Sequence, residues 1–388
     1  MVNCQFFRIK DICCIKSGKR LPKGTDFSEE ITPYKYIRAR DIKKGKISLE
    51  KLVCIDEQIK KKLSRYIINE NDIAITIVGE NIGDVGFCQK ECDGFNLTEN
   101  AVRLTNFTEL VDSKFLAMYL NQQFMKEYMR ILGSGAAQGK LGVYKIEKIK
   151  IPFPDYKTQQ KIANILSCYD EAIENNNKRI KLLEQMAQNL YKEWFVRFRF
   201  PGWENCEFEN GIPVGWHQGR LSELLEFKRG KNITADEMED GDVSVISAGL
   251  EPSGYHSTSN VQGVSLTISS SGANAGYLSI HYEDIWAADC MFITEKNTKN
   301  IYYLYELLNN IRPVIFNQQR GAAQPHVYSK DINNLRLWIP NEELIENANK
   351  LFESFHKEIY KLQRANKNLA KQRDLLLPRL MSGKLEVN

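Results

Sequence analysis

Two long stretches of the chain carry apolar residues at spacings that alternate between three and four positions. This spacing places apolar side chains along one face of a helix. The first stretch, 156–198, contains no Pro or Gly, so nothing in its sequence interrupts a helix. The stripe residues of the first stretch are Leu166, Tyr169, Ile173, Asn176, Ile180, Leu183, Ala187, Leu190 and Trp194. Those of the second, 186 positions further on, are Phe352, Phe355, Ile359, Leu362, Asn366, Leu369, Arg373, Leu376 and Leu380.

A stripe of this length has to be buried against another helix. Because the two stripes have the same phase, we expect the two helices to pack against each other. Each stripe includes one Asn, and a buried Asn fixes the register of a coiled coil at a cost in stability. In an antiparallel pairing of the two stripes, we expect a polar layer in which Asn176 lies opposite Arg373.

The chain also contains an internal repeat, because three short motifs occur twice in the same order. Each motif is weak alone, but the fixed order predicts two globular parts, each followed by a long helix. The matched segments are 16–19 and 228–231 (Lys-x-Gly-Lys), 79–83 and 272–276 (Gly-x-Asn-x-Gly), and 135–138 and 321–324 (Gly-Ala-Ala-Gln).

Short β-branched and aromatic runs alternate with turn residues and helical segments in both globular parts, which predicts a mixed α/β or α+β fold. Pro154 and Pro340 end the last strand of each part, and Asp155 is the predicted N-cap of the first long helix. The predicted divisions are a first globular domain 1–154, a long helix 155–198, a linker 199–216, a second globular domain 217–340 and a long helix 341–388.

The distribution of charged residues along the chain indicates what kind of partner the protein binds. The formal net charge is only +4, but Lys and Arg are concentrated in 1–24, 35–46 and 357–384, which indicates a polyanionic partner. We find no apolar run long enough to span a membrane and no signal peptide at the N-terminus. The nine Cys form no CxxC motif, so we expect reduced thiols, no metal site and a cytoplasmic location.

The sequence offers no catalytic motif and no cofactor site. Lys19 and Lys231 each follow a Gly, but neither is followed by Ser or Thr, which excludes a phosphate-binding P-loop. The Gly-rich segment 269–276 lacks the spacing of a dinucleotide fold, and no tetrapeptide of the Asn-Pro-Pro-Tyr type is present. We therefore predict a protein that is not itself an enzyme and that uses no cofactor.

Four further segments resemble the specificity subunit of type I restriction–modification systems. They are 159–163 (QQKIA), 194–198 (WFVRF), 212–216 (IPVGW) and 373–385 (RDLLLPRLMSGKL). The second long helix departs from the family pattern, because it opens with Asn341-Glu342-Glu343 instead of Gln-Gln. The resemblance covers essentially the whole chain.

The resemblance implies two target recognition domains that each read one half of a bipartite double-stranded DNA site. The two long helices would pack as an antiparallel coiled coil that holds the two domains apart. Two modification subunits would dock on this scaffold and methylate adenine, and restriction subunits with motor and nuclease activity would join the same assembly.

Candidate DNA contacts follow from the chemistry of the grooves. Lys and Arg bind phosphates, Arg pairs with guanine, and Gln or Asn pairs with adenine. The alternative for Arg38 and Arg40 is an ordinary strand-face charge, and the alternative for the Gln residues is a turn cap. The candidates are Lys16, Lys19, Arg20, Arg38, Arg40, Gln138, Lys140, Lys228, Arg229, Lys231, Asn232, Gln324 and His326.

Three other classes of protein fit parts of this pattern. The first is a stand-alone, pseudo-dimeric DNA-binding protein such as a repressor, which would need no methyltransferase partner. The second is a methyltransferase with diverged motifs, and the third is a coiled-coil adaptor whose globular domains bind protein. Binding to a modification subunit would argue against the repressor. Failure to bind S-adenosylmethionine would exclude the methyltransferase, and salt-dependent binding to duplex DNA would argue against the adaptor.

Overall fold

Two long helices, Tyr156–Tyr191 and Glu342–Met381, each contribute to both of the units into which the chain divides. The computed structural model describes residues 5–134, 139–321, 324–385 and 387. One unit comprises Met1–Ala172 with Leu369–Asn388, and the other comprises Ile173–Asn368.

The described residues of the first half form eleven strands and six helices. The strands are β1 Gln5–Arg8, β2 Cys14–Ser17, β3 Lys35–Ile37, β4 Ile42–Lys43, β5 Gly45–Ile47, β6 Val53–Cys54, β7 Ile73–Thr76, β8 Val85–Phe87, β9 Asn96–Leu97, β10 Ala101–Thr105 and β11 Lys150–Phe153. The helices are α1 Ile9–Ile12, α2 Glu57–Lys62, α3 Ser113–Leu120, α4 Gln123–Gly133, α5 Val143–Glu147 and α6 Tyr156–Tyr191.

In the second half, the part of the chain that the structure describes adds eleven strands and four helices. The strands are β12 Phe208–Glu209, β13 Ile212–Pro213, β14 His217–Arg220, β15 Lys228–Arg229, β16 Val243–Ile246, β17 Gly254–His256, β18 Ser265–Ser269, β19 Leu278–His281, β20 Ile285–Ala287, β21 Cys290–Thr294 and β22 Arg336–Ile339. The helices are α7 Ile301–Asn310, α8 Arg312–Phe316, α9 Ser329–Asn333 and α10 Glu342–Met381. Short 3₁₀ turns lie at Ala39–Asp41, Lys90–Cys92, Trp203–Asn205, Leu221–Glu223 and Ala235–Glu237, and a π-helical turn at Lys192–Val196 follows α6.

Sheet topology confirms the internal repeat. The first half has a six-stranded sheet in the order β2-β10-β7-β8-β5-β4, and the second half has β15-β21-β18-β19 in the same arrangement without the last two strands. In both halves a short parallel pair lies beside an antiparallel strand, as β6-β3-β9 and as β17-β16-β20. A two-stranded sheet, β1-β11 or β14-β22, precedes each long helix. The mixed α+β fold with two repeated halves is therefore confirmed.

The core of each unit forms where central strands are buried on both faces. In the first unit every residue of β7 and β10 is buried, and Ile73 and Leu104 pack in one cluster with Phe115 of α3. In the second unit every residue of β18 is buried, and Leu266 shares a core with Tyr303 of α7. Burial on both faces is typical of strands that read as continuous apolar runs.

The long helices begin at capped residues. The Asp155 carboxylate accepts hydrogen bonds from the Thr158 N–H at 3.1 Å and the Thr158 hydroxyl at 2.6 Å, which confirms the predicted cap. These bonds hold the pKa of Asp155 below its ordinary value. At the start of α10, the side-chain oxygen of Asn341 accepts from the Leu344 N–H at 2.8 Å. The departure from Gln-Gln at this point therefore still leaves a normally capped helix.

The stripe residues of α6 and α10 are all buried or half-buried. In the second unit the two helices pack antiparallel, and Asn176 donates a hydrogen bond to Asn366 at 2.9 Å. In the first unit, Arg373 Nη1 donates to Asp170 Oδ1 at 2.6 Å. The prediction that Asn176 lies opposite Arg373 is wrong. Asn176 lies opposite Asn366, which precedes Arg373 by seven residues, or one heptad. The reason is that Leu380 and Met381 are buried in the first unit's core with Ile162 and Leu166, and this packing sets the register.

Candidate nucleic-acid interface

One edge of the main sheet in the second unit brings the repeated motifs together. Strand β15 ends at Arg229, β21 begins at Cys290 and β18 ends at Ser269, and these strands are antiparallel neighbours. The Lys-Arg-Gly-Lys segment 228–231 and the Gly-rich segment 272–276 therefore leave the sheet side by side. In the first unit, β2 ends at Ser17, β10 begins at Ala101 and β7 ends at Thr76 in the same way.

The Lys-x-Gly-Lys turns are held to the sheet by main-chain hydrogen bonds. In the second unit the N–H of Gly230 donates to Cys290 O at 2.8 Å, and the N–H of Lys231 donates to Ala287 O at 2.9 Å. A Cβ atom at Gly230 would lie 2.3 Å from Ala288 O, so only glycine fits against the neighbouring chain. The sequence therefore requires this glycine for close backbone approach.

The first unit repeats this geometry with different neighbours. The N–H of Gly18 donates to Ala101 O at 3.1 Å, and the N–H of Lys19 donates to Leu97 O at 2.9 Å. A Cβ atom at Gly18 would lie 2.1 Å from Thr98 O. The two turns are thus built by the same bonds in each half.

The four lysines of these turns, Lys16, Lys19, Lys228 and Lys231, are all exposed. An aromatic ring accompanies the second lysine of each turn. The Lys19 ammonium lies 6.0 Å from the centre of the Tyr66 ring, and that of Lys231 lies 6.0 Å from the Trp286 ring. A cation at this distance from an aromatic face is attracted to it. Each edge therefore presents a positive charge in a defined direction.

The Gly-rich turns are also matched bond for bond. In the first unit the N–H of Gly83 donates to Thr76 O at 3.0 Å, and that of Asp84 donates to Asn81 O at 3.0 Å. In the second unit the corresponding bonds run from Gly276 to Ser269 O at 2.8 Å and from Tyr277 to Asn274 O at 2.9 Å. The glycines at both ends of each turn, Gly79, Gly83, Gly272 and Gly276, have positive φ angles of 92°, 88°, 76° and 85°.

The third motif meets the Gly-rich turn in both halves. Lys140 forms an isolated bridge with Val78, and His326 forms the equivalent bridge with Ser271. Lys140 is exposed, whereas His326 is half-buried and stacks on Tyr328 with ring centres 6.3 Å apart. Gln324 is exposed next to Gly321, while Gln138 lies outside the described residues, as do 135–137 and 322–323.

The candidate arginines differ in how freely they present their guanidinium groups. Arg38 donates to both Asp41 oxygens at 2.9 and 3.0 Å and to Lys51 O at 2.8 Å, and only 16% of its side chain is exposed. These bonds are structural, and a base contact would have to break them. Arg40, two residues on, is exposed.

The other two arginines of the edges each pair with a carboxylate. Arg20, 75% exposed, forms an ion pair with Glu99, and Arg229, 68% exposed, lies 3.8 Å from Asp289. Asp289 also accepts a hydrogen bond from the Ser271 hydroxyl, so it joins Arg229 to the Gly-rich turn. Asn232 is exposed beside these groups.

Sequence reasoning missed the residues that surround the lysine turns, namely Tyr36, Tyr66, Glu99, Trp286 and Asp289. The comparison of the two halves gives no signal for them, because the aromatic residues lie at positions that do not match between the halves. Trp286 and Asp289 lie in a run of apolar and aromatic residues, and no pattern in that run marks a polar role.

Among the described residues, no group of three or more His, Cys, Asp and Glu side chains is arranged to hold a metal ion. No helix in that part of the chain is long and apolar enough to cross a membrane.

Two matched basic sheet edges on one chain are the features of a DNA-binding protein with two recognition elements. Residues 1–185 and 213–369 match the model of the type I restriction modification DNA specificity domain. The chain therefore belongs to this family.

Individual relatives agree with this assignment. The chain is 26% identical over 306 residues to the type I restriction enzyme MjaIX specificity subunit of Methanocaldococcus jannaschii. The aligned region covers 71% of this chain and 70% of that protein. It is 21% identical over 422 residues to the HindI specificity subunit of Haemophilus influenzae, covering 83% and 88% of the two chains. The crystal structure of the S subunit of a type I restriction–modification system from M. genitalium matches 98% of this chain and 96% of that one. Its TM-score is 0.64 at 21% identity, which shows a common fold.

Proposed function

We propose that the chain is the DNA specificity subunit of a type I restriction–modification complex. It binds double-stranded DNA, reads a target in two parts and directs the methyltransferase and restriction subunits to that target. The observation that carries this proposal is the repeated sheet edge, which presents the same lysine turn once in each half. Two copies of one phosphate-binding geometry suit a DNA site with two half-sites.

Within each edge, the lysine turn contacts the DNA backbone and the neighbouring exposed groups read bases. Lys16, Lys19, Lys228 and Lys231 supply the charge for phosphates. Exposed polar side chains near the turns carry hydrogen-bonding groups of the kind that pair with base edges in the major groove. They belong to Arg40, Asn232 and Gln324. Arg38 supports the first edge through its bonds to Asp41.

The two target recognition domains correspond to 1–154 and 217–340. The helical segments 155–198 and 341–388 act as spacers, and 199–216 is the linker between the halves. In this arrangement the length of the spacer helices sets the separation of the two half-sites.

The chain itself has no catalytic role in the complex. Modification subunits, in two copies to match the two halves, carry out methylation of adenine, and restriction subunits join the same assembly in the cytoplasm. The support for two copies is the internal repeat, which offers each copy an equivalent surface.

The test is to express the chain with its modification subunit in a host that lacks adenine methylation and to sequence the methylated genome. We expect one methylated motif made of two short specific parts separated by a fixed number of unspecified bases. Expression of the modification subunit alone is the control and should leave the genome unmethylated. A single contiguous motif, or equal methylation in the control, would contradict the proposal.

A further inference from the structure

The lysine turns share one more contact, which is made by unlike residues in the two halves. In the first unit the Tyr36 hydroxyl donates a hydrogen bond to the main-chain oxygen of Lys19 at 2.7 Å. In the second unit the Trp286 Nε1–H donates to the main-chain oxygen of Lys231 at 2.8 Å. The same carbonyl group is therefore fixed in both turns.

The two donors come from different strands. Tyr36 lies on β3, whereas Trp286 lies on β20, whose counterpart in the first half is β9. The residue equivalent to Trp286 in the strand pairing is Asn96, and the residue equivalent to Tyr36 is Val245. Sequence repetition alone does not produce this contact, because each half reaches the carbonyl by its own route.

The contact determines where the next main-chain donor points. A trans peptide is planar, and its C=O and N–H groups point in opposite directions. Because the carbonyl of Lys19 is held toward Tyr36, the N–H of Arg20 points away from it, and the N–H of Asn232 points away from Trp286 in the same way. Among the described residues, no group accepts a hydrogen bond from either N–H.

The aromatic residues also place the ammonium group of each lysine. Trp286 performs both tasks in the second unit, since its ring lies 6.0 Å from the Lys231 ammonium. In the first unit Tyr36 holds the carbonyl and Tyr66 lies beside the Lys19 ammonium. Burial raises the pKa of Tyr36 above its ordinary value, so the hydroxyl keeps the proton that it donates.

We propose that Tyr36 and Trp286 are positioning residues for DNA, each of which holds the main chain of its lysine turn in the orientation that binds phosphates of its half-site. Backbone N–H groups and lysine side chains both bind phosphate oxygens. This inference rests on the proposed function, because it assumes that the two edges bind DNA.

The test uses the full chain with its modification subunits and a pool of duplexes with random sequence, from which bound duplexes are sequenced. The variants are Tyr36→Phe, which removes only the hydroxyl, and Trp286→Phe, which keeps an aromatic ring but removes the N–H. We expect each variant to lose sequence preference at one half-site and to keep it at the other. Affinity for the wild-type motif should fall by about tenfold, as for the loss of one positioned contact. The slope of log Kd against log salt should stay near the wild-type value, because both variants keep the lysine and an aromatic ring beside it.

One variant outside both turns controls for general effects. Trp203→Phe alters a Trp of the linker, so it should not change the recovered motif. A purely structural role for Tyr36 or Trp286 would weaken both half-sites equally, which would overturn the inference.

The outcomes separate this inference from the proposed function. If the wild-type protein enriches no duplex, the proposed function fails. If the wild type enriches a two-part motif and Lys19→Ala weakens it, but Tyr36→Phe binds like the wild type, only the positioning inference fails. Should Tyr36→Phe fold poorly, amide hydrogen exchange in its folded fraction provides a second readout. Exchange at residues 18–21 should accelerate while β10 stays protected, and unchanged exchange at the turn would overturn the inference.

Discussion

The side-chain amide of Asn176 donates a hydrogen bond to the side-chain oxygen of Asn366 at 2.9 Å, between two helices that lie 190 residues apart in sequence. Asn366 in turn donates to Asn177 at 2.9 Å. The two stripe Asn residues therefore face each other, and Asn366 links Asn176 and Asn177. A polar pair at this position disfavours any register that places either amide against an apolar side chain.

The first prediction concerns this pair. Asn366→Leu should lower the free energy of unfolding by about 1–2 kcal/mol, because it leaves the half-buried amide of Asn176 without its acceptor. Adding Asn176→Leu should recover most of that loss, since two apolar residues then face each other. Denaturant unfolding of the single and double variants measures the coupling. Asn175→Leu, at an exposed position of α6, is the control, and a double variant as unstable as the sum of the singles would contradict the prediction.

The second prediction concerns the spacer helices. Inserting seven residues into both α6 and α10 keeps the phase of both stripes and lengthens the pair by about 10 Å. The number of unspecified bases in the target should then increase by about three, given roughly 3.4 Å per base pair. Methylated-motif sequencing reads the spacing directly. Insertion into α6 alone, which mismatches the stripes, should abolish activity, and an unchanged spacing in the double insertion would refute a role of helix length.

The third prediction concerns the lysine turns. Lys19→Ala and Lys231→Ala should each reduce DNA affinity by roughly tenfold at 0.1 M salt, because each removes about one released counterion. The slope of log Kd against log salt should fall by about one in each variant. Lys178→Ala is a matched control, since Lys178 is exposed on α6 and pairs with Glu174 at 2.9 Å. Equal losses in all three variants would indicate a nonspecific effect of charge.

The fourth prediction concerns pH. His281 Nε2 lies 2.8 Å from the Thr267 hydroxyl, and burial lowers the pKa of His281 to about 4. Between that value and the ordinary pKa of about 6.5, the unfolded chain binds a proton that the folded chain does not. The stabilisation is therefore fully present above pH 6.5 and is lost as the pH falls toward 4. From pH 7 to pH 5 the wild type should lose about 2 kcal/mol more stability than His281→Gln. Parallel loss in both proteins would show that His281 is not responsible.

The sequence predicted most of the fold because its main signals are local. Stripe spacing identifies the two helices, and the order of the motifs identifies the two halves. The helix register was predicted wrongly because it depends on tertiary packing, namely the burial of Leu380 beside Ile162 and Leu166. Stripe residues seven positions apart look alike, so the pattern alone does not distinguish Arg373 from Asn366 as the partner of Asn176.

The candidate site was only partly predictable for a similar reason. The glycines and lysines of the turns recur at fixed positions, so comparison of the halves finds them. Tyr36 reaches a carbonyl 17 residues away, and Trp286 reaches one 55 residues away, by contacts that exist only after the strands pair. Arg38 resembles a base-reading residue in sequence, but its guanidinium is already bonded to Asp41 and Lys51.

The bonds that hold the turns in the two halves come mainly from the main chain, while the side chains at matched positions differ, as Lys140 and His326 or Val78 and Ser271 do. A turn anchored in this way keeps its shape when its side chains are replaced. We therefore expect substitutions at these matched positions to cost little folding stability. Side chains that face DNA could then change with no need for compensating changes in the core.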